Sequence, residues 1–240
     1  MRCAILGDIH SNLQALEAVL KDAHSYGCEE FHCLGDLVGY NANPVECLEI
    51  VRELPGVCVL GNHDEEAAGS HELSKFSSQA RVSLEWTRSK LSEEHKEWLM
   101  GLRPVRQIRR TTLVHASLDS PTSWGYIRTS EAAEFSLACQ HTPLAFFGHT
   151  HLPGIFIQGE NGGVIVGDGL QLPSNKKLFI NPGAVGQPRD RDWRASYMIY
   201  DEESGGLWLR RLKYDVKSAR EAVLDAGLPQ KIGDRLITGT

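Results

Sequence analysis

The apolar positions change period several times along the chain, and each change marks an element. An apolar run ends at Gly7, after which Leu13, Leu16, Leu20 and Ala23 recur at helical spacing. The pattern predicts a strand, a loop and a helix over about 12–25, with Ser11 and Gln14 resembling a capping box and Gly27 ending the helix. A second strand over Glu30–Leu34 runs into Gly35-Asp36, and Asn43-Pro44 opens a helix that closes before Pro55-Gly56. A third strand over Val57–Leu60 leads into Gly61-Asn62. These strands are continuous apolar runs, which implies parallel strands covered on both faces. Right-handed crossovers then bring the three following loops to one edge of a sheet, so that Asp8, His10, Asp36, Asn62 and His63 converge.

The pattern turns polar and helix-forming over about 65–100, with Trp86, Leu91, Trp98 and Leu99 as core contacts. This suggests a helical insertion over one side of the site. Strands follow at Val105–Ile108 and Thr111–Val114, the second delivering His115, then an irregular loop Ala116–Tyr126 able to serve as a lid. A helix over Glu131–Cys139 and a strand over Leu144–Phe147 lead to Gly148-His149-Thr150-His151. The C-terminal third has short strands at Ile155–Gln158, Gly163–Val166, Lys177–Ile180, Ser196–Tyr200 and Leu207–Leu212, separated by turn residues as in antiparallel hairpins. A helix returns over Val216–Leu224.

With 240 residues, 23% charged and 41% apolar, the composition fits a single globular domain over 1–240. No apolar run approaches the roughly 20 residues that span a bilayer. The N-terminus enters a strand without the pattern of a signal peptide, giving a cytoplasmic expectation. A net charge of −6, with basic residues clustered only at Arg106-Gln107-Ile108-Arg109-Arg110, argues against stable nucleic-acid binding. None of the six cysteines forms a Cys-x-x-Cys pair, so they are expected to be small buried hydrophobes.

What remains is a set of oxygen and nitrogen donors at strand ends: Asp8, His10, Asp36, Asn62, His115, His149 and His151. Seven protein donors exceed the needs of one ion that also holds water and substrate. Two divalent ions account for them, Asp8, His10 and His151 holding one, Asn62, His115 and His149 the other, and Asp36 both. Ions about 3.5–4 Å apart can share a hydroxide and bind two phosphoryl oxygens, the arrangement for hydrolysing a phosphate ester. His24, His32, His71, His95 and His141 fall elsewhere in the pattern and are left out of the set.

Gly7-Asp8-Ile9-His10, Gly35-Asp36-Leu37-Val38-Gly39, Gly61-Asn62-His63-Asp64, His115 and Gly148-His149-Thr150-His151 resemble, in order, the five metal motifs of the calcineurin-like metallophosphoesterases. Asn181-Pro182-Gly183-Ala184-Val185-Gly186-Gln187-Pro188-Arg189 is similar to the segment that closes the domain in the compact bacterial and archaeal phosphodiesterase-like branch. The resemblance implies an α/β fold, a four-layer α-β-β-α sandwich of two mixed sheets. It also implies a dinuclear centre of manganese, iron, zinc or nickel acting on a small phosphate-ester substrate. His63 takes the position of the family's catalytic histidine. The protein serine/threonine phosphatases carry aspartate and arginine where this chain has Gly39 and Tyr40, so a phosphodiester is the expected substrate. Asp64 then becomes the candidate to orient His63, and Arg189 to contact phosphate. A phosphomonoester, a dinucleoside polyphosphate stacked on Trp124 and Tyr126, and a non-catalytic scaffold like the family's retromer member are the other readings.

Overall fold

The computed structural model describes residues 1–70, 72–74, 76–160, 170–171, 173 and 175–240. Strand β1 (Arg2–Leu6) pairs in parallel with β2 (Cys28–Cys33), and α1 (Leu13–Ser25) crosses between them. The side chain of Asn12 caps α1 by accepting from Ala15 N at 3.1 Å. After β2 come α2 (Pro44–Glu53), α3 (Asn62–Ala68), α4 (Ser78–Lys90) and α5 (Glu93–Met100). A hairpin of β3 (Val105–Ile108) and β4 (Thr111–Val114), the helix α6 (Ser130–Cys139) and β5 (Leu144–Phe146) follow. The chain ends in β6 (Gly154–Ile157), β7 (Leu170–Gln171), β8 (Leu178–Asn181), β9 (Ala195–Asp201), β10 (Gly206–Leu212), α7 (Val216–Asp225) and α8 (Gln230–Thr238).

Two mixed sheets result, with strand orders β2-β1-β9-β10-β7 and β3-β4-β5-β8-β6. Alternation along the central strands makes the layers. Cys3, Ile5, Met198 and Tyr200 of the first sheet meet Leu113, Phe146, Leu178 and Ile180 of the second in one buried cluster. The opposite faces of the same strands, Ala4, Leu6, Tyr197 and Ile199, pack under helices through Leu16, Val19, Leu48 and Leu84. On the far side Val114, Ala145, Phe147 and Phe179 bury against Ala133 and Leu137 of α6. Helix, sheet, sheet, helix is therefore the observed layering, as the family resemblance implied. Among the described residues no helix is long and apolar enough to cross a membrane.

Several elements differ from the expectation. Residues 57–60 form isolated bridges, Cys33 with Cys58 and Val59 with Arg103, instead of a full strand, and α3 begins at Asn62. Asn62 and His63 thus sit on a helix's first turn rather than on a loop. Strand β8 is antiparallel to β6 but parallel to β5, so the C-terminal third is not purely hairpins. Helix α8 was unanticipated, although its buried Ile232, Gly233 and Leu236 stand together on one face at helical spacing. The strand expected over Gly163–Val166 lies outside the described residues, as does His71.

Candidate metal centre

Asp8 and His10 follow β1, Asp36 follows β2, His115 follows β4, and His149 and His151 follow β5. The first sheet supplies the first three and the second sheet the others, all at carboxyl ends. The loops turn sharply there. Among the described residues, Asp8, His10, Asp36, His149 and His151 have φ between 47° and 64°, a left-handed backbone that costs about 1–2 kcal/mol per L-residue. Gly148 is required beside them, since a Cβ at that position would stand 2.8 Å from Asp8 Oδ2.

The donors meet in two groups sharing one carboxylate. In the first, His10 Nε2 lies 3.2 Å from His151 Nε2, and His151 Nε2 lies 3.3 Å from Asp8 Oδ1. In the second, His115 Nε2 lies 3.1 Å from both His149 Nδ1 and Asn62 Oδ1. Asp36 Oδ2 stands between them, 3.5 Å from His10 Nε2 and 3.4 Å from His115 Nε2. Its other oxygen accepts the backbone N–H of His63 at 2.9 Å, which fixes the carboxylate.

Each histidine is oriented from behind. His10 Nδ1 donates to Val38 O at 3.1 Å, His115 Nδ1 to Leu34 O at 2.7 Å and His151 Nδ1 to Gln187 O at 2.5 Å, which aims the Nε2 atom of each ring inward. His149 is reversed: Nε2 donates to Trp124 O at 2.9 Å and Nδ1 faces inward. Asp8 is held by the backbone N–H of His149, at 3.0 and 3.1 Å from its two oxygens.

This donor set fits cations. With both Nδ1 protons committed to carbonyls, the Nε2 atoms of His10 and His151 present two lone pairs to each other at 3.2 Å. That contact is repulsive unless a positive charge sits beside both. Burial holds His10 and His151 well below the usual imidazole range, so both are neutral ligands. Burial likewise depresses His149 to about 3, helped by the charge on His115. Burial also opposes charge on His115, but the Asp36 carboxylate outweighs it and raises that ring to about 9. Burial pushes Asp8 up to about 7. Asp36 stays well below the carboxylate range, because His115 and His63 outweigh its own burial.

A second grouping, Cys3, Glu30 and His32, does not fit a cation. His32 Nδ1 accepts the Val57 N–H at 3.3 Å, so its proton sits on Nε2, 3.2 Å from Glu30 Oε2. Arg109 already supplies the positive charge, 2.8 Å from Glu30 Oε2, and burial raises the Cys3 thiol to about 12.

Two shared donor groups built from five turns can be set beside other proteins. A family model for the calcineurin-like phosphoesterase superfamily domain matches residues 1–205. The chain belongs to this superfamily. It is 38% identical to a metallophosphoesterase from Sphaerobacter thermophilus, whose crystal structure superposes with a TM-score of 0.91 over 100% of this chain and 99% of that one. A protein of Methanocaldococcus jannaschii is 36% identical over 241 residues, 98% of this chain and 97% of its own. A hypothetical protein from Pyrococcus horikoshii shares the fold, with a TM-score of 0.82 at 20% identity over 100% and 98% of the two chains.

In this phosphoesterase the buried Asp and His cluster opens into a cleft of about 330 Å³ lined by Asp36, Asn62, His63, His149, His151 and Arg189 together with Tyr40, Phe76, Trp124 and Tyr126. His63 is packed among rings, 4.6 Å from Tyr40 and 5.3 Å from Phe76 between centroids, and burial lowers it to about 4. Its Nδ1 has no hydrogen-bond partner among the described residues. Gly39 is why Tyr40 and His63 come so close, because a Cβ there would lie 2.5 Å from His63 Nδ1. The oxygens of Asp64 accept Leu37 N at 2.8 Å, Val38 N at 3.2 Å and Gly61 N at 3.1 Å, tying the Asp36 loop to the start of α3. Asp64 thus holds backbone, whereas the sequence suggested that it orients the His63 ring. Arg189 donates to Gln187 Oε1 at 2.9 Å and lies over the Tyr40 ring, with its Nε buried and unpartnered among the described residues. Phe76 and the carbonyls of Trp124 and Gln187 were missed from sequence; a carbonyl carries no side-chain signal.

Proposed function

We propose that the chain hydrolyses a small phosphodiester at a centre of two divalent ions, one held by Asp8, His10 and His151, the other by Asn62, His115 and His149. The observation that carries this reading is the position of Asp36 Oδ2, within 3.5 Å of an inward nitrogen of each group. When bound, such ions supply positive charge to the phosphoryl oxygens and lower the pKa of water. The cleft's own residues supply the rest. Arg189 offers a buried, unpartnered Nε–H to a phosphoryl oxygen. His63, neutral in its aromatic surroundings, donates a hydrogen bond to the phosphoryl group or to the leaving oxygen, and an anionic substrate beside it favours the charged ring that can protonate that oxygen. Asn62 is placed by α3 on the same wall and shares both roles, toward ion and toward substrate.

Among the described residues Arg189 is the one arginine lining the cleft, in keeping with a substrate that presents a single phosphoryl group there. Trp124 and Tyr126, which also line the cleft, favour the dinucleoside polyphosphate reading instead. Protein reconstituted with manganese, iron, zinc or nickel and offered a diester, a monoester, a 2′,3′-cyclic nucleotide and a dinucleoside tetraphosphate separates these. Diester turnover, abolished in Asp36→Asn, is the expected result. Absence of turnover with every ion and substrate favours the scaffold reading.

A further inference from the structure

The loop over the cleft does more than cover it. Trp124 has φ 55° and ψ 39°, a left-handed conformation that is costly for a bulky residue. Two hydrogen bonds are made from it. Its carbonyl accepts from His149 Nε2 at 2.9 Å, and its indole Nε1–H donates to Glu65 Oε2 at 3.1 Å. Glu65 belongs to α3, the helix that carries Asn62 and His63, so the bond ties the Trp124 loop to that helix. Tyr126, two residues on, stacks on the His149 ring at 4.2 Å and 23°.

The Trp124 carbonyl determines which nitrogen of His149 bears the proton. The other three inward-facing histidines present Nε2, and His149 presents Nδ1. Without a carbonyl behind Nε2, the tautomer with Nδ1 protonated is no longer disfavoured, and that tautomer cannot bind an ion in this position.

We infer that Glu65 is a positioning residue for one ion of the centre: by holding the Trp124 indole it aims the Trp124 carbonyl at His149, and so sets the affinity for the ion shared by His115, His149 and Asn62 while leaving the other untouched. This rests on the two-ion reading proposed above. Loss of an outer partner of a metal-bound histidine typically lowers affinity by about 10–100-fold.

The test is titration of metal-free protein with cobalt(II), followed by calorimetry and by the visible absorption of the bound ion. The variants are Glu65→Ala, Trp124→Phe, which keeps a ring but deletes the N–H, and Glu65→Gln, which keeps an acceptor. Expected are two ions in the parent, one of them weakened about 10–100-fold in Glu65→Ala and in Trp124→Phe with the other unchanged, and recovery in Glu65→Gln. Unchanged affinity for both ions in both disruptive variants overturns the inference, as does equal weakening of the two, which a loop with a merely structural role would give. A parent that binds fewer than two ions removes the two-ion reading itself, and the inference with it. Circular dichroism of each metal-free variant checks folding, and Trp124→Phe carries the result if Glu65→Ala is unfolded.

Discussion

His63 shows how much of the site depends on what a single residue touches. Its ring contacts Tyr40, Phe76 and His10, while its backbone N–H, not its side chain, holds Asp36. His63→Ala keeps that N–H, so bound metal should be retained while turnover falls about 10²–10⁴-fold, the usual size of a lost proton-transfer group. Metal analysis alongside steady-state kinetics checks this; loss of metal in the variant would place His63 among the ligands. His115 gives a prediction in pH. Its folded pKa is raised to about 9, so it is charged at pH 7, and because Nδ1 faces the Leu34 carbonyl the removable proton is the one on Nε2. An ion must displace that proton. Loading metal-free protein at pH 7 should therefore release about one proton from this residue, and affinity should rise with pH up to about 9. Calorimetry in buffers of different ionisation enthalpy measures the release.

At the scale of elements, Asp8, Asp36 and His149 were legible as candidate ligands because each stands just past a strand, where a Gly-Asp or Gly-His pair interrupts the pattern. Chemistry and periodicity change together at Gly7, Gly35 and Gly148. Asp64 was legible as part of a motif but not in its role, since three backbone N–H groups claim its oxygens and no side-chain pattern announces them. The shortened 57–60 segment escaped for the same kind of reason: packing against distant parts of the chain set its length. Strand β5 shows what the strands contribute to stability. Phe146 is fully buried between the sheets, while its neighbours Ala145 and Phe147 face α6. Phe146→Ala should lower the unfolding free energy by about 3–5 kcal/mol, read from a shifted urea midpoint at unchanged slope.

For the molecule as a whole, the parallel half of the first sheet followed from sequence, and the second sheet came from the family resemblance alone. No local pattern specifies that β9, nearly two hundred residues after β1, lies beside it as antiparallel neighbour. That pairing is a long-range contact whose cost in loop closure grows only slowly with separation. The overall charge has a global consequence too. At −6 the chain is acidic, and a carboxylate pair buried with four imidazoles makes metal-free protein the strained form. Saturating metal should stabilise the fold by about 2.7 kcal/mol at a hundredfold excess over the dissociation constant, and Asp36→Asn should abolish most of that gain, as a thermal-shift series with and without metal would show.

The first sheet contributes Asp8, His10 and Asp36, and the second contributes His115, His149 and His151. Metal held among them would act as a rivet through the mouth of the sandwich, pinning two slabs that elsewhere meet through greasy side chains and, at the far end, through Arg109 on Glu30 and Glu202. Withdrawing it leaves the far end of the slabs clamped and lets the near end gape, so the backbone at Gly7–Ser11 and Gly148–His151 is where deuterium would enter first.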